Sequence, residues 1–260
     1  MANERTYIAE ALVLRRTDFH EADRRLTLLT PDRGRLNVVA KGVRRPTSRM
    51  AGHLELFTLA KVFVVRRRSL DLVVQAETVQ TFPQLRTDLA RLPYAYQAVE
   101  AAHILVEEEV EAHGEFILLI KALSALAVTA ALPLVLVAYK LQLLATLGYQ
   151  AQFQDCARCG NPLSAAGASA AARIQVRPDS GGAVCAACGG ASGSPLTVRA
   201  IKCLRWLAQE PLHTVERLQA DSATTTQLEQ TADAFVRYVA EQDLKTTPFL
   251  ERMRALKTQS

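Results

Sequence analysis

Between Tyr7 and Phe82, apolar and polar positions alternate in short runs. YIAEALVLRR, ADRRLTLLT, RLNVVAKGV, HLELFTLAKVFVV and LDLVVQAETVQTF each mix a period of two with β-branched residues, the pattern of strands. Turn-forming pieces separate them: PDRG at 31–34 predicts a tight hairpin, and RRRS at 66–69 predicts another reversal. Five strands in under eighty residues predict a small closed or nearly closed barrel.

The period changes at Pro83. Leu85, Leu89, Leu92, Tyr96, Val99, His103, Val106 and Val110 recur at spacings of four and three, which predicts one helical face, kinked or split at Pro93 and ended by Gly114. The acidic run Glu107, Glu108, Glu109 and Glu111 then reads as the solvated end of that helix. Helices are expected near 115–129 and 133–147, the second closed by Gly148. Eighteen uncharged residues, 122–139, reach the length of a membrane span, but Pro133 divides them and makes two buried helices the better reading. Residues 153–193 shift to Cys, Gly, Ala and Ser, with SAAGASAAA at 164–172 expected as a surface loop. Helical patterning returns with Ser194 as an N-cap and Pro195 in the first turn, then with the capping box Thr226-x-x-Glu229, then at Thr247-Pro248. The expected architecture is α+β and multidomain: a barrel over 1–82, a helical bundle in two parts over 83–152 and 194–260, and a four-cysteine module inserted at 153–193.

Charge changes this picture from fold to partner. Residues 1–82 hold 15 Lys and Arg against 9 Asp and Glu, whereas residues 83–260 hold 16 against 17, so the whole positive excess is N-terminal. A barrel so biased attracts a polyanion, and the five-stranded OB-fold is the common nucleic-acid-binding barrel of this size. The candidate contacts are Arg15, Arg24, Arg25, Arg33, Arg35, Lys41, Arg44, Arg45, Arg49, Arg66, Arg67 and Arg68. KGVRRPTSR at 41–49 is the best patch, having four cations, hydroxyls and no carboxylate. For any one Arg pair a solvated strand face is the simpler reading. Aromatics are few here (Tyr7, Phe19, Phe57, Phe63, Phe82), which favours backbone contact over base stacking.

Five cysteines are too few for a disulfide scaffold, and MANERTYIAEALVL lacks an apolar signal core, so a cytoplasmic protein with reduced thiols is expected. Cys156-x2-Cys159 and Cys185-x2-Cys188 supply four soft ligands for one tetrahedral, structural Zn²⁺, and Cys203 reads as a core residue. His113-Gly114-Glu115 ahead of Cys156-x2-Cys159 also imitates the zinc deaminases, although the second cysteine pair would then have no task. No phosphate-binding loop, nucleophile elbow or dinucleotide fingerprint occurs, so an enzyme is not expected. A scaffold whose basic barrel docks an acidic protein is a further alternative.

This order of parts, with PDRGR, AKGVRR at 40–45, GHLELFT at 52–58, Gly148-Tyr149 before the first cysteine pair and Gly181-Gly182 before the second, resembles the RecO family of bacterial recombination mediators. The resemblance implies an OB-fold that binds single- and double-stranded DNA at the nucleoid and anneals complementary strands without nucleotide hydrolysis. It also implies action on strands coated by SSB, whose C-terminal tail would dock on the helical part, and help from RecR in letting RecA replace SSB. The family's basic loop falls on Lys41, Arg44 and Arg45, and its zinc ligands on the four paired cysteines. For the tail, the apolar helices at 115–147 and 195–208 offer Lys121, Lys140, Arg199, Lys202 and Arg205 as edge cations.

Overall fold

The computed structural model describes residues 5–163, 174–189 and 194–257. Five strands come first: β1 (Thr6–Phe19), β2 (Asp23–Thr30), β3 (Gly34–Ala40), β4 (Leu59–Val65) and β5 (Asp71–Gln80). They pair in the order β1-β2-β3-β5-β4, and β4 pairs back onto β1, so the sheet closes on itself. All neighbours are antiparallel except β3 and β5, which run parallel from Val38↔Asp71 to Ala40↔Val73. A parallel pair needs a crossover, and residues 41–58 with β4 provide it. The expected strand at HLEL is instead a 3-10 turn, Ala51–Leu54, inside this crossover.

β1 shows how the alternation is used twice. Ala9, Ala11 and Val13 point into the barrel with Leu26, Leu28 and Val62, while Leu12 and Leu14 point out and are buried too. The outer face they share with Leu29, Phe57 and Leu59 belongs to the same apolar cluster as the helices. A register shift in β1 between Val13 and Arg15 lets Phe57, at φ +62, donate to the Val13 carbonyl from the crossover.

The helical part comprises α1 (Pro83–Thr87), α2 (Leu92–Leu105), α3 (His113–Val128) and α4 (Leu132–Thr146), then α6 (Val198–Gln209), α7 (Ser222–Ala240) and α8 (Thr247–Lys257) after the cysteine module and its one-turn helix α5 (Ala186–Gly189). Pro93 does split the long stripe, standing in the first turn of α2, and Pro133 stands likewise in α4. Among the described residues no helix is long and apolar enough to cross a membrane. Gly148, at φ +87, follows α4 as expected.

Four further expectations fail. Gly114 does not end a helix; it lies in the first turn of α3. Glu107 to Glu109 are not a helix end but an added edge of sheet: Arg35 N donates to Glu107 O at 3.0 Å, and Asn37 Nδ2 to Glu108 Oε1 at 2.8 Å. β3 meets β5 only from Val38 onward, so its first residues had an unpaired side to offer. Gly34 is required there, because a Cβ would come within 2.3 Å of the Val110 carbonyl oxygen and φ is +53. Ser194 and Pro195 lie in β8 (Ser194–Leu196), paired with β6 (Ile174–Arg177), and Thr197 caps α6 by accepting from Ala200 N at 3.1 Å. The capping box at Thr226 is inside α7, whose cap is Asp221, accepting from Thr224 N at 2.7 Å.

Candidate nucleic-acid interface and metal centre

The basic residues divide into three groups. At the β1–β2 end of the barrel, the segment 41–50 folds over the turn at 19–23: Gly42 N donates to Asp23 Oδ1 at 2.7 Å, and Arg44 N to Ala22 O at 3.0 Å. Arg25 stacks on Phe19 at 5.3 Å. Arg44 is held by Asp18 at 3.3 Å and by the Glu21 carbonyl at 3.1 Å, and Arg24 by Asp18 and Glu55. Lys41, Arg45 and Arg49 are exposed and meet no carboxylate among the described residues. With Arg25, that triplet is the uncompensated charge of this end.

A second group gathers at the opposite end, where the β2–β3 and β4–β5 turns meet the start of β1. The guanidinium groups of Arg33 and Arg66 lie over Tyr7 at 4.5 and 5.6 Å, and the Tyr7 hydroxyl donates to Asp71 at 3.0 Å. Burial, then Asp71, raises the Tyr7 pKa, so this platform keeps its proton. Arg67 and Arg68 stand exposed beside it. Two of the five aromatics, Tyr7 and Phe19, thus serve as arginine platforms, which no strand pattern reveals.

The third group, Arg15 and Arg35, shares neither end. With Arg16 these side chains face the seam between barrel and helices. Arg16 pairs with Glu55, while Arg35 reaches Glu108 at 3.3 Å and His103 Nδ1 at 3.3 Å. Burial, then the charges of Arg35 and Arg15, holds the His103 pKa below its usual value.

The four cysteines converge, with all sulfurs within 4.8 Å of one another. Each pair sits on a tight turn: Gly160 N donates to Cys156 O at 2.9 Å, with Gly160 at φ +73, and Cys188 N to Cys185 O at 3.0 Å. The two turns are joined through β7 (Gly182–Val184), where Ala157 N donates to Ala183 O at 2.9 Å. Gly182 packs on Gln152, whose carbonyl oxygen would lie 2.2 Å from any Cβ. Although burial opposes it, the backbone amides of Cys185, Cys159 and Arg158 pull the Cys156 thiol down to about 6. Its cysteine neighbours push Cys188 up to about 12, and a bound thiophilic cation would have to displace that proton. A tetrahedron of metal–sulfur bonds of about 2.3 Å has edges of about 3.8 Å. Cys159 and Cys185 stand 3.8 Å apart. One edge thus already has that length, and the four sulfurs are close enough together to hold one thiophilic ion.

His113 and Glu115 take no part in this cluster; His113 pairs with Asp32 at 3.1 Å. The insert at 164–172 lies outside the described residues. Cys203 is buried in the core as expected. Of the cations offered for a docking groove, Lys140 is fully enclosed and Arg205 is spent on the carbonyls of Phe153 and Gln154, at 2.8 and 3.1 Å. Arg199 is held by Asp221 at 3.5 Å and by the Gln219 carbonyl at 3.0 Å, Lys202 stands exposed on α6, and Lys121 edges a groove between α3, α4 and the segment after α6, lined by Leu118, Ala125, Val128 and Leu212.

A closed, basic five-stranded sheet joined through a shared apolar cluster to a helical bundle with an embedded four-sulfur module defines a two-part protein. Residues 1–82 match the family described as recombination protein O N terminal, and residues 86–248 that described as recombination protein O C terminal. The chain belongs to the RecO family. It is 40% identical over 255 residues to the DNA repair protein RecO of Roseiflexus sp. (strain RS-1), covering 97% of this chain and 88% of that one. It is 38% identical to the DNA repair protein RecO of Nocardioides sp. (strain ATCC BAA-499 / JS614), covering 95% and 99%, and 31% identical to that of Dehalococcoides mccartyi (strain CBDB1), covering 98% of each.

Proposed function

We propose that this chain is a DNA repair protein that binds single- and double-stranded DNA through its barrel, read as an OB-fold, and anneals complementary strands without hydrolysing a nucleotide. The observation that carries this is the triplet Lys41, Arg45 and Arg49, exposed on a segment that the β1–β2 turn supports and without carboxylate partners among the described residues. Two strands repel through their phosphates; a surface that neutralises both lowers the encounter barrier while base pairing supplies the driving force. Arg24 and Arg44, already paired with Asp18, contribute less. The four thiolates hold one structural zinc ion, which leaves no open position for a substrate. On the family reading, RecR joins the protein at SSB-coated strands so that RecA can load. The acidic SSB tail seats in the apolar groove edged by Lys121 on the helical side.

The test is annealing of complementary oligonucleotides without ATP. The native chain should accelerate it. Reversing Lys41, Arg45 and Arg49 to Glu should remove the acceleration, weaken binding to unrelated sequences about equally, and flatten the log–log salt dependence by up to about three units. A folded triple variant that anneals and binds as well as the native chain overturns the reading.

A further inference from the structure

Arg15 and Arg35 were expected on a DNA-facing surface, yet they line a cavity of about 560 Å³ where the barrel meets α2 and the segment between α7 and α8. Four cations enter its wall: Arg15, Arg16, Arg35 and Lys245. Glu100 is the one carboxylate on that wall, and it is occupied. Its oxygens accept from Lys245 N at 2.8 Å, Thr246 N at 2.9 Å and Thr246 Oγ1 at 2.5 Å. Arg16 is tied to Glu55, but Arg15 has no acidic partner among the described residues. The buried Nε of Arg35 finds no hydrogen-bond acceptor there. A buried donor without an acceptor is unfavourable, so this wall favours any ligand that brings anionic oxygens.

The remaining wall is apolar. Leu14, Leu56, Tyr96 and Val99 line it, and Tyr96 is held edge-on between Phe57 at 5.4 Å and Phe249 at 6.4 Å. Convergent cations on one side, a fixed aromatic and aliphatic surface on the other, and a volume in the range of small-ligand pockets fit one nucleotide better than an extended chain.

We propose that this cavity binds a single nucleoside phosphate, with the phosphate oxygens on Arg15 and Arg35 and the base against the Tyr96 wall. The source is either the 5′-phosphorylated end of a DNA strand or a free nucleotide. The strand-end source rests on the DNA-binding reading above; the free-nucleotide source does not. End capture gives an annealing surface a reference point: a strand held by its terminus leaves its remaining bases free to pair.

The full native chain is titrated with deoxyadenosine 5′-monophosphate and with deoxyadenosine by calorimetry. It is then titrated with labelled oligonucleotides carrying a 5′-phosphate or a 5′-hydroxyl, and with a closed single-stranded circle. Saturable binding of the monophosphate but not the nucleoside is expected, weakened at least about tenfold by Arg15→Gln. If the phosphorylated end also binds more tightly than the hydroxyl end, and Arg15→Gln removes that preference, the source is a strand end. Without the end preference, the source is the free nucleotide. Equal binding of nucleoside and monophosphate, neither binding, or an acidic peptide saturating the cavity where the nucleotide does not, each overturns the proposal. The circle keeps the two readings apart, because its binding reports DNA affinity whatever happens at an end.

Discussion

Lys140 shows how far a single residue can depart from what its surroundings in sequence suggest. α4 is apolar on all sides, so no periodicity says which way its one cation points, and a surface position next to a partner groove was the natural reading. The helix is instead wrapped by α2, α3, α6 and α7, and Lys140 is 2% exposed. Its ammonium donates to Asp233 and, at 3.1 Å, to Gln97 Oε1, while Gln97 Nε2 donates to Thr247 Oγ1 at 2.9 Å. Burial lowers the Lys140 pKa and Asp233 opposes it. Such a pair adds little net stability, but breaking it strands a charge. Asp233→Leu should therefore destabilise the chain by about 3 kcal/mol in urea unfolding, and adding Lys140→Met should recover most of that loss. A double variant no more stable than the single one argues against the assignment. By contrast, the four cysteines were legible as a group from spacing alone, because the two-residue interval already sets the turn that brings each pair of sulfurs together.

At the scale of elements, the strands and most helices follow from period and proline, whereas the failures come from partners distant in sequence. Ser194–Leu196 looked like a helix start, but β6 offered it a ladder from about twenty residues upstream. The acidic run looked like a solvated helix end, but the open side of β3 captured it. Asp221 outcompeted the capping box at Thr226 by starting α7 a turn earlier, which buries Thr224 beside Leu228. The cysteine module is itself such a partnership, since Cys156 and Cys185 meet only if 160–184 closes. It also spans the step from α4 to α6, and Arg205 on α6 grips the segment that enters it through the carbonyls of Phe153 and Gln154. If the site holds the proposed zinc ion, replacing Cys156 and Cys185 by Ser should abolish metal binding and lower the melting temperature of the full chain, because metal binding would be coupled to closure of the module. Purified native protein containing no zinc by elemental analysis, with all four thiols freely titratable, would rule this out.

For the whole molecule, the change of pattern at Pro83 marks a boundary that one apolar cluster crosses, although the barrel interior keeps a cluster of its own. Leu12, Leu14, Leu29, Phe57 and Leu59 belong to the apolar cluster that fills the helical bundle. Gly34 and the 107–110 segment add a backbone seam. The two parts should consequently fail when separated. The fragment 1–82 is expected to bind an apolar dye strongly and to self-associate, while the full chain does neither. A monomeric fragment with the full chain's low dye binding would restore two independent domains. The shared core also sets a timetable during synthesis. At about 5–20 residues per second, roughly 2 to 10 s separate completion of β5 from completion of α3, the helix whose Phe116, Leu119 and Leu123 join that cluster. For that interval the nascent barrel carries its exposed arginines and Lys41 on one side and a bare patch of leucines and Phe57 on the other. The newborn chain then depends on whatever shields that patch until α2 and α3 arrive.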